Sequence, residues 1–194
     1  VVGTLLLYIS EDISFLAAFF QSVSARTAGF ASVDLSAFSP AGFLIMCFLM
    51  FIGASPGSTG GGVKTTTLFA ILLSIKASAT GGKRQAFKRK IPNEIFSKAF
   101  TLIIMGLAVV FAASLLLALF EPELTMNQIV FEAFSAFGTV GLSTGITPQL
   151  GAASRVVLIL VMFTGRLGPI TMATVWAFKP APGYSYSEET ITIG

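Results

Sequence analysis

A Thr-x-Gly sequence followed by an apolar residue occurs twice in the chain, at residues 27–30 and again 112 positions later at residues 139–142. Glycine adopts backbone angles that other residues avoid, which lets successive carbonyl groups turn toward one axis. Rings of such carbonyls replace the water shell of a cation, and a threonine hydroxyl adds a further oxygen. The pattern therefore predicts an ion-selectivity filter for an alkali cation, although a single Thr-x-Gly sequence is also typical of an ordinary turn. The predicted filter residues are Thr27, Ala28, Gly29, Phe30, Thr139, Val140, Gly141 and Leu142.

The composition indicates that a lipid bilayer surrounds most of the chain. Of the 194 residues, 54% are hydrophobic and 11% are charged, whereas about 25% are charged in soluble domains. There is no histidine, which excludes a histidine base, a histidine–metal site and a histidine pH switch. The single cysteine, Cys47, lies in an apolar run and is predicted to be a packed core thiol.

Apolar runs predict the membrane spans. A span needs about 20 apolar residues, and residues 99–120 and 156–178 reach that length, the second with Arg166 near its middle. Residues 41–75 are apolar at both ends but are interrupted by a Gly-rich sequence at 53–62, which a plain helix does not tolerate. The first nine residues are interpreted as the end of a helix that starts earlier, so we expect the chain to be a piece of a longer protein.

Charge predicts the orientation of these spans. Seven lysine and arginine residues lie between positions 76 and 98, and such a cluster marks the cytoplasmic side. Residues 10–40 and 121–155 then lie outside, where acidic residues, Glu132 among them, outnumber basic ones. The basic linker either fixes the topology alone or also contacts anionic lipid or a cytoplasmic partner.

Landmarks that coincide at the offset of 112 positions predict an internal repeat. Glu11 meets Glu123, the two Thr-x-Gly turns coincide, and Met-Phe-Ile-Gly at 50–53 meets Met-Phe-Thr-Gly at 162–165. Several matches in register indicate duplication. Each unit then contains an outgoing helix, a short apolar helix that dips in from outside (15–25 and 127–137), the turn and a returning helix. The predicted fold is an all-α membrane protein in which helix–re-entrant pore helix–helix units surround a central ion pore.

Four longer sequences resemble the Trk/Ktr/HKT superfamily of cation transporters: SARTAGF at 24–30, FIGASPGSTGGGVKTTT at 51–67, SAFGTVGLSTG at 135–145 and FTGRLGP at 163–169. The similarity is closest to the membrane subunit of bacterial Ktr-type potassium uptake. It implies four repeats around one pore, as in potassium channels, of which this chain holds the last two. The implied domains are a third pore repeat at 1–76, a cytoplasmic linker at 77–98, a fourth repeat at 99–179 and a cytoplasmic tail at 180–194.

The resemblance also implies a function and partners. We expect a potassium-translocating, multi-pass protein of the bacterial plasma membrane, not an enzyme, that carries K⁺ and holds no organic cofactor. In this family glycine in the filter accompanies potassium selectivity, and serine in the first repeat accompanies sodium transport. Gly29 and Gly141 favour potassium, but the first repeat is absent, so a sodium-permeable or sodium-coupled transporter is the alternative. The implied partners are a second copy, in a homodimer, and a cytoplasmic nucleotide-binding regulatory ring, with no nucleic acid.

The Gly-rich sequence after α-helical residues 41–52 is the predicted gate. It approaches the phosphate-loop pattern, but Val63 separates its glycines from Lys64 and no strand precedes it, which disfavours nucleotide binding. A tightly packed kink is one alternative, and an unwound loop that obstructs the pore beneath the filter is the one that the resemblance implies. The predicted gate residues are Gly57, Ser58, Thr59, Gly60, Gly61, Gly62, Lys64 and Arg166.

Three basic residues near the gate are assigned candidate roles. A charge at mid-bilayer costs about 2.5–3.5 kcal/mol on insertion scales, so Arg166 is expected to face protein or water. Its predicted partners are loop carbonyls of residues 55–62, where it would hold the closed loop and oppose cations; helix packing is the alternative. Lys64 is either a second anchor or a surface lysine, and Arg26 either pairs with an acid to brace the filter or lies at the interface.

Two rival functions follow from the same residues. An intramembrane enzyme would need a nucleophile with a base, or a metal site, and the predicted spans offer neither histidine nor an acid. A non-conducting structural subunit would keep the scaffold without flux, so only a flux measurement separates it from a transporter. The tail from residue 184 onward alternates β-branched residues and is predicted to add a strand, dock at an interface or fray.

Overall fold

The computed structural model describes residues 1–81, 85–86, 89–168 and 171. These residues form seven α-helices, two short 3-10 helices and one antiparallel pair of two-residue strands, β1 (Gln85–Ala86) and β2 (Arg89–Lys90), in the basic linker. The predicted tail and the second half of the predicted span 156–178 lie outside the described residues. In chain order the helices are α1 (Val2–Ser10), α2 (Phe15–Ser24), α3 (Pro40–Phe51), α4 (Thr65–Thr80), α5 (Asn93–Phe120), α6 (Met126–Phe137) and α7 (Ala152–Leu167).

The elements recur at the offset seen in the sequence. The 3-10 helices Leu35–Ala37 and Thr147–Gln149 lie 112 positions apart, and so do the first residues of α3 and α7. The two units differ at their ends, since α3 stops at Phe51 while α7 continues to Leu167. The extra turn of α7 corresponds to the start of the Gly-rich break, because glycine and proline disfavour a helix there.

An acidic residue at the end of the first helix caps the third helix in each unit. Glu11 accepts hydrogen bonds from the N–H (3.1 Å) and hydroxyl (2.6 Å) of Ser39, the residue before α3. Glu121 accepts one from the N–H of Gly151 (2.7 Å), the residue before α7. A negative charge is favourable at a helix N-terminus. The structural counterpart of Glu11 is therefore Glu121, and the sequence match to Glu123 was wrong by two positions because the connections after α1 and α5 differ.

The Glu121 carboxylate is tied to α7 by a second bond. The hydroxyl of Ser154 donates to the same carboxylate oxygen at 2.7 Å. The bonds from Ser154 and then from the Gly151 N–H hold the pKa of Glu121 below its ordinary value of 4.5. The ionised carboxylate thus stabilises the contact between the ends of α5 and α7.

The two units join where α3 packs against α6. Phe131 and Phe137 of α6 are fully buried. The ring of Phe43 meets Phe131 edge-on with centroids 5.5 Å apart, and Phe51 stacks on Phe137 at the same distance. Because α6 also packs against α5 and α7, this short helix lies at the centre of the structure and its C-terminal end is held from three sides.

By length and composition, one described helix can cross a membrane, α5 (Asn93–Phe120). It begins six positions before the predicted span of 99–120 and ends with it. The apolar helices α2, α3 and α4 are shorter, and the break between α3 and α4 lies where the glycines predicted it. Large apolar side chains are exposed on the outer faces of α3, α5 and α7: Leu44, Ile104, Phe111 and Ile159 are examples.

Candidate ion filter and gate loop

Each short helix, α2 and α6, leads into one of the two Thr-x-Gly turns. Thr27 and Thr139 have φ angles of 69° and 49°, and Gly29 and Gly141 have φ angles of 80° and 91°. Within the described residues the two threonines are the only non-glycine residues with positive φ. This conformation is unfavourable for a β-branched residue, and such strain concentrates at functional sites. The sequence did not predict the strain at the threonines.

The two turns lie against each other through their backbones. A Cβ added at Gly29 would lie 2.1 Å from the carbonyl oxygen of Val140, so a side chain has no room there. A Cβ added at Gly141 would meet only the Cα of Gly29, at 3.9 Å. The structure therefore brings together the two sets of predicted filter residues, 27–30 and 139–142. The φ angle favours glycine at both positions 29 and 141, and at position 29 the contact with Val140 also excludes a side chain.

Different side chains brace the two turns from behind. In the first unit the Ser24 hydroxyl accepts a bond from the Phe30 N–H at 2.7 Å and donates to the Phe30 carbonyl. In the second unit Glu132 accepts bonds from the hydroxyls of Ser143 and, at 3.2 Å, Thr147. Glu132, counted in the sequence among the acidic residues of the outer segment, is 5% exposed and faces the protein interior. Its position on the apolar helix α6 was the signal for burial.

The Gly-rich segment between α3 and α4 forms a loop that is closed at its base. The Gly53 N–H donates to the Val63 carbonyl (2.8 Å), and the Val63 N–H donates to the Phe51 carbonyl (2.9 Å). Residues 55–59 at its tip are exposed. The loop is therefore closed by backbone bonds at its base while its tip is exposed.

The returning side of this loop, residues 60–62, packs against both Thr-x-Gly turns. The Gly61 N–H donates to the Oγ1 of Thr139 at 2.9 Å. A Cβ added at Gly60 would lie 2.5 Å from the Oγ1 of Thr27. The Gly62 N–H donates to the Gly165 carbonyl of α7 at 3.2 Å. The loop thus contacts the hydroxyl oxygens of both threonines and is fixed to the second unit.

Lys64, rather than Arg166, bonds the carbonyls of the loop. Its Nζ donates to the Gly60 carbonyl and lies 3.5 Å from the Ser58 carbonyl oxygen. Arg166 is exposed in the last turn of α7, and no loop carbonyl among the described residues accepts a hydrogen bond from it. Lys64 follows the loop directly, so its side chain reaches back over it. Both residues line a cavity of about 220 Å³ beneath the loop.

Arg26 bonds a backbone carbonyl instead of the predicted acid. Its Nε and Nη2 both donate to the Gly53 carbonyl oxygen, at 3.2 and 2.9 Å. The side chain is half-buried between the turn after α2 and the base of the loop. Neither alternative derived from the sequence, an acid pair or a membrane-interface position, describes this contact.

These features agree with a family match that spans nearly the whole chain. The TrkH family model, described as a cation transport protein, matches residues 4–186. The chain belongs to the TrkH family. The resemblance to Trk/Ktr transporters is thereby confirmed, and members of this family are embedded in membranes.

Named relatives are ion-uptake proteins. The chain is 40% identical over 186 residues to Ktr system potassium uptake protein D of Bacillus subtilis, covering 95% of this chain and 41% of that protein. It is 42% identical over 182 residues to Ktr system potassium uptake protein B of Vibrio alginolyticus, with 92% and 39% covered. It is 41% identical over 183 residues to potassium/sodium uptake protein NtpJ of Enterococcus hirae, with 91% and 41% covered. The chain thus spans about two fifths of the length of these relatives.

A solved structure shares the fold. The crystal structure of the potassium transporter TrkH from Vibrio parahaemolyticus superposes with a TM-score of 0.70 at 22% identity, covering 92% of this chain and 41% of that one. The predicted fold class is confirmed: the chain has the all-α fold of a membrane transporter.

Proposed function

We propose that this chain is part of the potassium-translocating transmembrane subunit of a potassium uptake system. One observation carries the proposal: two Thr-x-Gly turns, 112 positions apart, hold their threonines at positive φ and meet backbone to backbone at Gly29 and Val140. A turn of ordinary surface type needs neither the strain nor the contact. The names of the relatives in Bacillus subtilis and Vibrio alginolyticus support potassium as the transported ion.

The chemistry of the proposed filter is replacement of the ion's water by fixed oxygens. Carbonyl groups of residues 27–30 and 139–142 supply these oxygens from two sides, and the remaining sides belong to parts of the protein outside this chain. Because the turns are braced by Ser24 and Glu132, the carbonyls are held against their mutual repulsion. A potassium ion then exchanges hydration for a site of matching oxygens.

The Gly-rich loop is the proposed gate of this path. Its Gly61 N–H donates to the Thr139 Oγ1, the oxygen that an ion would approach on leaving the filter. The Lys64 ammonium lies over the loop, and the Arg166 guanidinium lines the cavity below. Two positive charges there oppose a cation, and the Coulomb repulsion grows as water is excluded. Movement of the loop tip toward the cavity would open the path.

The surroundings of the subunit are also proposed. It lies in the bacterial plasma membrane with several spans, forms a homodimer and is regulated by a cytoplasmic nucleotide-binding ring. The words "Ktr system" in the names of two relatives support a multi-component assembly. The basic linker with its β1–β2 ribbon is the described surface that offers positive charge to such a partner or to anionic lipid.

Sodium is the alternative ion. The relative in Enterococcus hirae is named for both potassium and sodium uptake and is 41% identical to this chain. Both filter positions here are glycine, which favours potassium, while the filter residues of the missing repeats also contribute to selectivity.

The test is rubidium and sodium uptake into proteoliposomes that hold the full-length parent protein, with Gly141→Ser alongside. Position 141 has open space for a side chain but a φ of 91°, so serine reorients the carbonyls without a collision. Gly145→Ser is the matched control, since its φ is 89° and no atom lies within 4 Å of an added Cβ.

The outcomes separate the candidate functions. Selective rubidium uptake that Gly141→Ser weakens and Gly145→Ser leaves intact is the expected result. Equal rubidium and sodium uptake by the parent would favour the sodium alternative. Unchanged selectivity in Gly141→Ser would mean that this turn does not discriminate ions. No flux in any variant, with the regulatory ring supplied, would favour a structural subunit.

A further inference from the structure

Two carbonyls at the break after α3 take their hydrogen bonds from outside the helix. A helix end exposes its last carbonyls because the N–H groups four residues further on no longer follow the helix. The Phe51 carbonyl is satisfied by the Val63 N–H at 2.9 Å. The Gly53 carbonyl, at the buried base of the loop, instead accepts both Nε and Nη2 of Arg26. Hydrogen bonds from an ionised donor such as a guanidinium are stronger than those between neutral groups.

In the second unit, a backbone N–H takes the place of the arginine side chain as the donor to the equivalent carbonyl. At the 112-residue offset, Gly53 corresponds to Gly165 and Arg26 to Gly138. The Gly165 carbonyl accepts the backbone N–H of Gly62 at 3.2 Å. A Cβ added at Gly138 would lie 2.5 Å from the Met50 carbonyl oxygen, so no arginine fits there. The bond from the Arg26 guanidinium to the Gly53 carbonyl, called the arginine bridge below, therefore occurs in the one unit that carries the loop.

The guanidinium also lies where two helix ends meet. Arg26 follows the C-terminus of α2 by two residues and bonds a carbonyl two residues beyond the C-terminus of α3. Both ends carry partial negative charge. The guanidinium charge is therefore favourably placed between the two helix ends. The next residue, Thr27, is the strained first residue of the turn.

We propose that Arg26 is a positioning residue that couples the base of the loop to the first Thr-x-Gly turn. The inference rests on the proposed function and assigns to this side chain the link between gate and filter. The Arg26 side chain bonds the Gly53 carbonyl, and the Arg26 backbone leads directly into Thr27. Displacement of the loop base therefore pulls on the filter, and loss of the bridge loosens both.

The experiment uses Arg26→Gln and Arg26→Lys in the full-length parent protein. Val63→Cys, at the base of the loop where the side chain is 5% exposed, reports displacement of the loop as the rate of modification by a membrane-impermeant maleimide; the rate without this cysteine is subtracted. Rubidium and sodium uptake in the same proteoliposomes reports the filter. Arg155→Gln is the matched control, because the Arg155 Nη2 also donates to a backbone carbonyl, that of Pro148, at 2.9 Å on the outer side.

We expect Arg26→Gln to raise the modification rate about tenfold, a change of about 1.4 kcal/mol in the opening equilibrium, and to lower rubidium-over-sodium selectivity. Arg26→Lys keeps the charge with one nitrogen and gives a smaller change in both. Arg155→Gln matches the parent in both.

Two results would overturn the coupling. One is an Arg26→Gln protein with the loop accessibility and selectivity of the parent. The other is a variant whose uptake of both ions falls equally with unchanged accessibility, which would leave Arg26 a folding role only. If Arg26→Gln does not fold, Arg26→Lys decides: parental values in both measurements reject the bridge. If the parent shows no flux, the proposed function is contradicted instead. The maleimide modification rate then still tests whether the arginine bridge holds the loop.

Discussion

Alanine at position 61 is expected to push the loop away from the filter and to increase ion flux. The buried Gly61 donates its N–H to the Thr139 Oγ1 at 2.9 Å. An added Cβ would lie 2.6 Å from that oxygen and 3.1 Å from the Gly138 carbonyl oxygen, whereas ordinary contacts begin at 3.4 Å. The loop must therefore retreat by about 0.8 Å to admit the methyl group.

The size of the effect follows from two terms. The retreat weakens one hydrogen bond, which is worth about 1 kcal/mol net. Overpacking of a tight contact costs about 1–3 kcal/mol. The closed state of Gly61→Ala is thus less stable by about 2–4 kcal/mol, and with a factor of ten for each 1.4 kcal/mol the closed-to-open ratio falls by about 30-fold to 700-fold.

The assay is the initial rate of rubidium uptake by proteoliposomes that contain the full-length parent or its variants at equal protein density. Gly81→Ala is the control for a glycine replacement: position 81, unlike position 61, has space for a methyl group, and the 16 residues of α4 separate it from the loop. Uptake by Gly61→Ala at or below the parental rate, in a protein that elutes as a single species, would refute the assignment of this contact to the gate.

Two further predictions concern charged residues. Arg166→Ala removes a positive charge from the cavity beneath the loop, so rubidium leak should rise; unchanged leak at normal expression rejects an electrostatic barrier. Glu121→Gln should lower the melting temperature at pH 7, since the bonds from Ser154 and Gly151 lower the pKa of Glu121 below 4.5. A depressed pKa stabilises the fold above 4.5 and loses this effect as the pH falls through the folded value, so the deficit should vanish in acid. Glu123→Gln is the control, and a deficit that persists in acid contradicts the electrostatic cause.

Local sequence signals located the elements of the fold. The short helices were predicted at 15–25 and 127–137 and are found at Phe15–Ser24 and Met126–Phe137. Their starts follow from capping residues: Ser14 accepts the Ala17 N–H, and the N–H and hydroxyl of Thr125 donate to Gln128. The glycines ended α3 as expected. Such signals act within one helical turn, so a single sequence reveals them.

Contacts between residues far apart in the chain could not be predicted from these local signals. The partners of Arg26 and Lys64 depend on where the loop folds back, and the sequence offered several acceptors of equal chemical value. The positive φ of the threonines is a conformation that residue preference disfavours, so the sequence alone does not predict it. The burial of Glu132 followed from its helix, but its partners Ser143 and Thr147 lie beyond the turn.

Because α3 ends one turn earlier than α7, only the first unit has a Gly-rich loop, and this loop contacts both units. The base of the loop is held within its own unit by the bridge from Arg26. Its returning side is held by the other unit, through Thr139 and the Gly165 carbonyl. A loop that leaves the second unit would break the bonds to Thr139 and to the Gly165 carbonyl, and any shift of its base would be transmitted to Arg26 through the Gly53 carbonyl. In the proposed gate, release of the loop therefore requires rearrangement at the Thr139 turn and at Gly165 of α7, so both parts of the second unit are expected to influence flux.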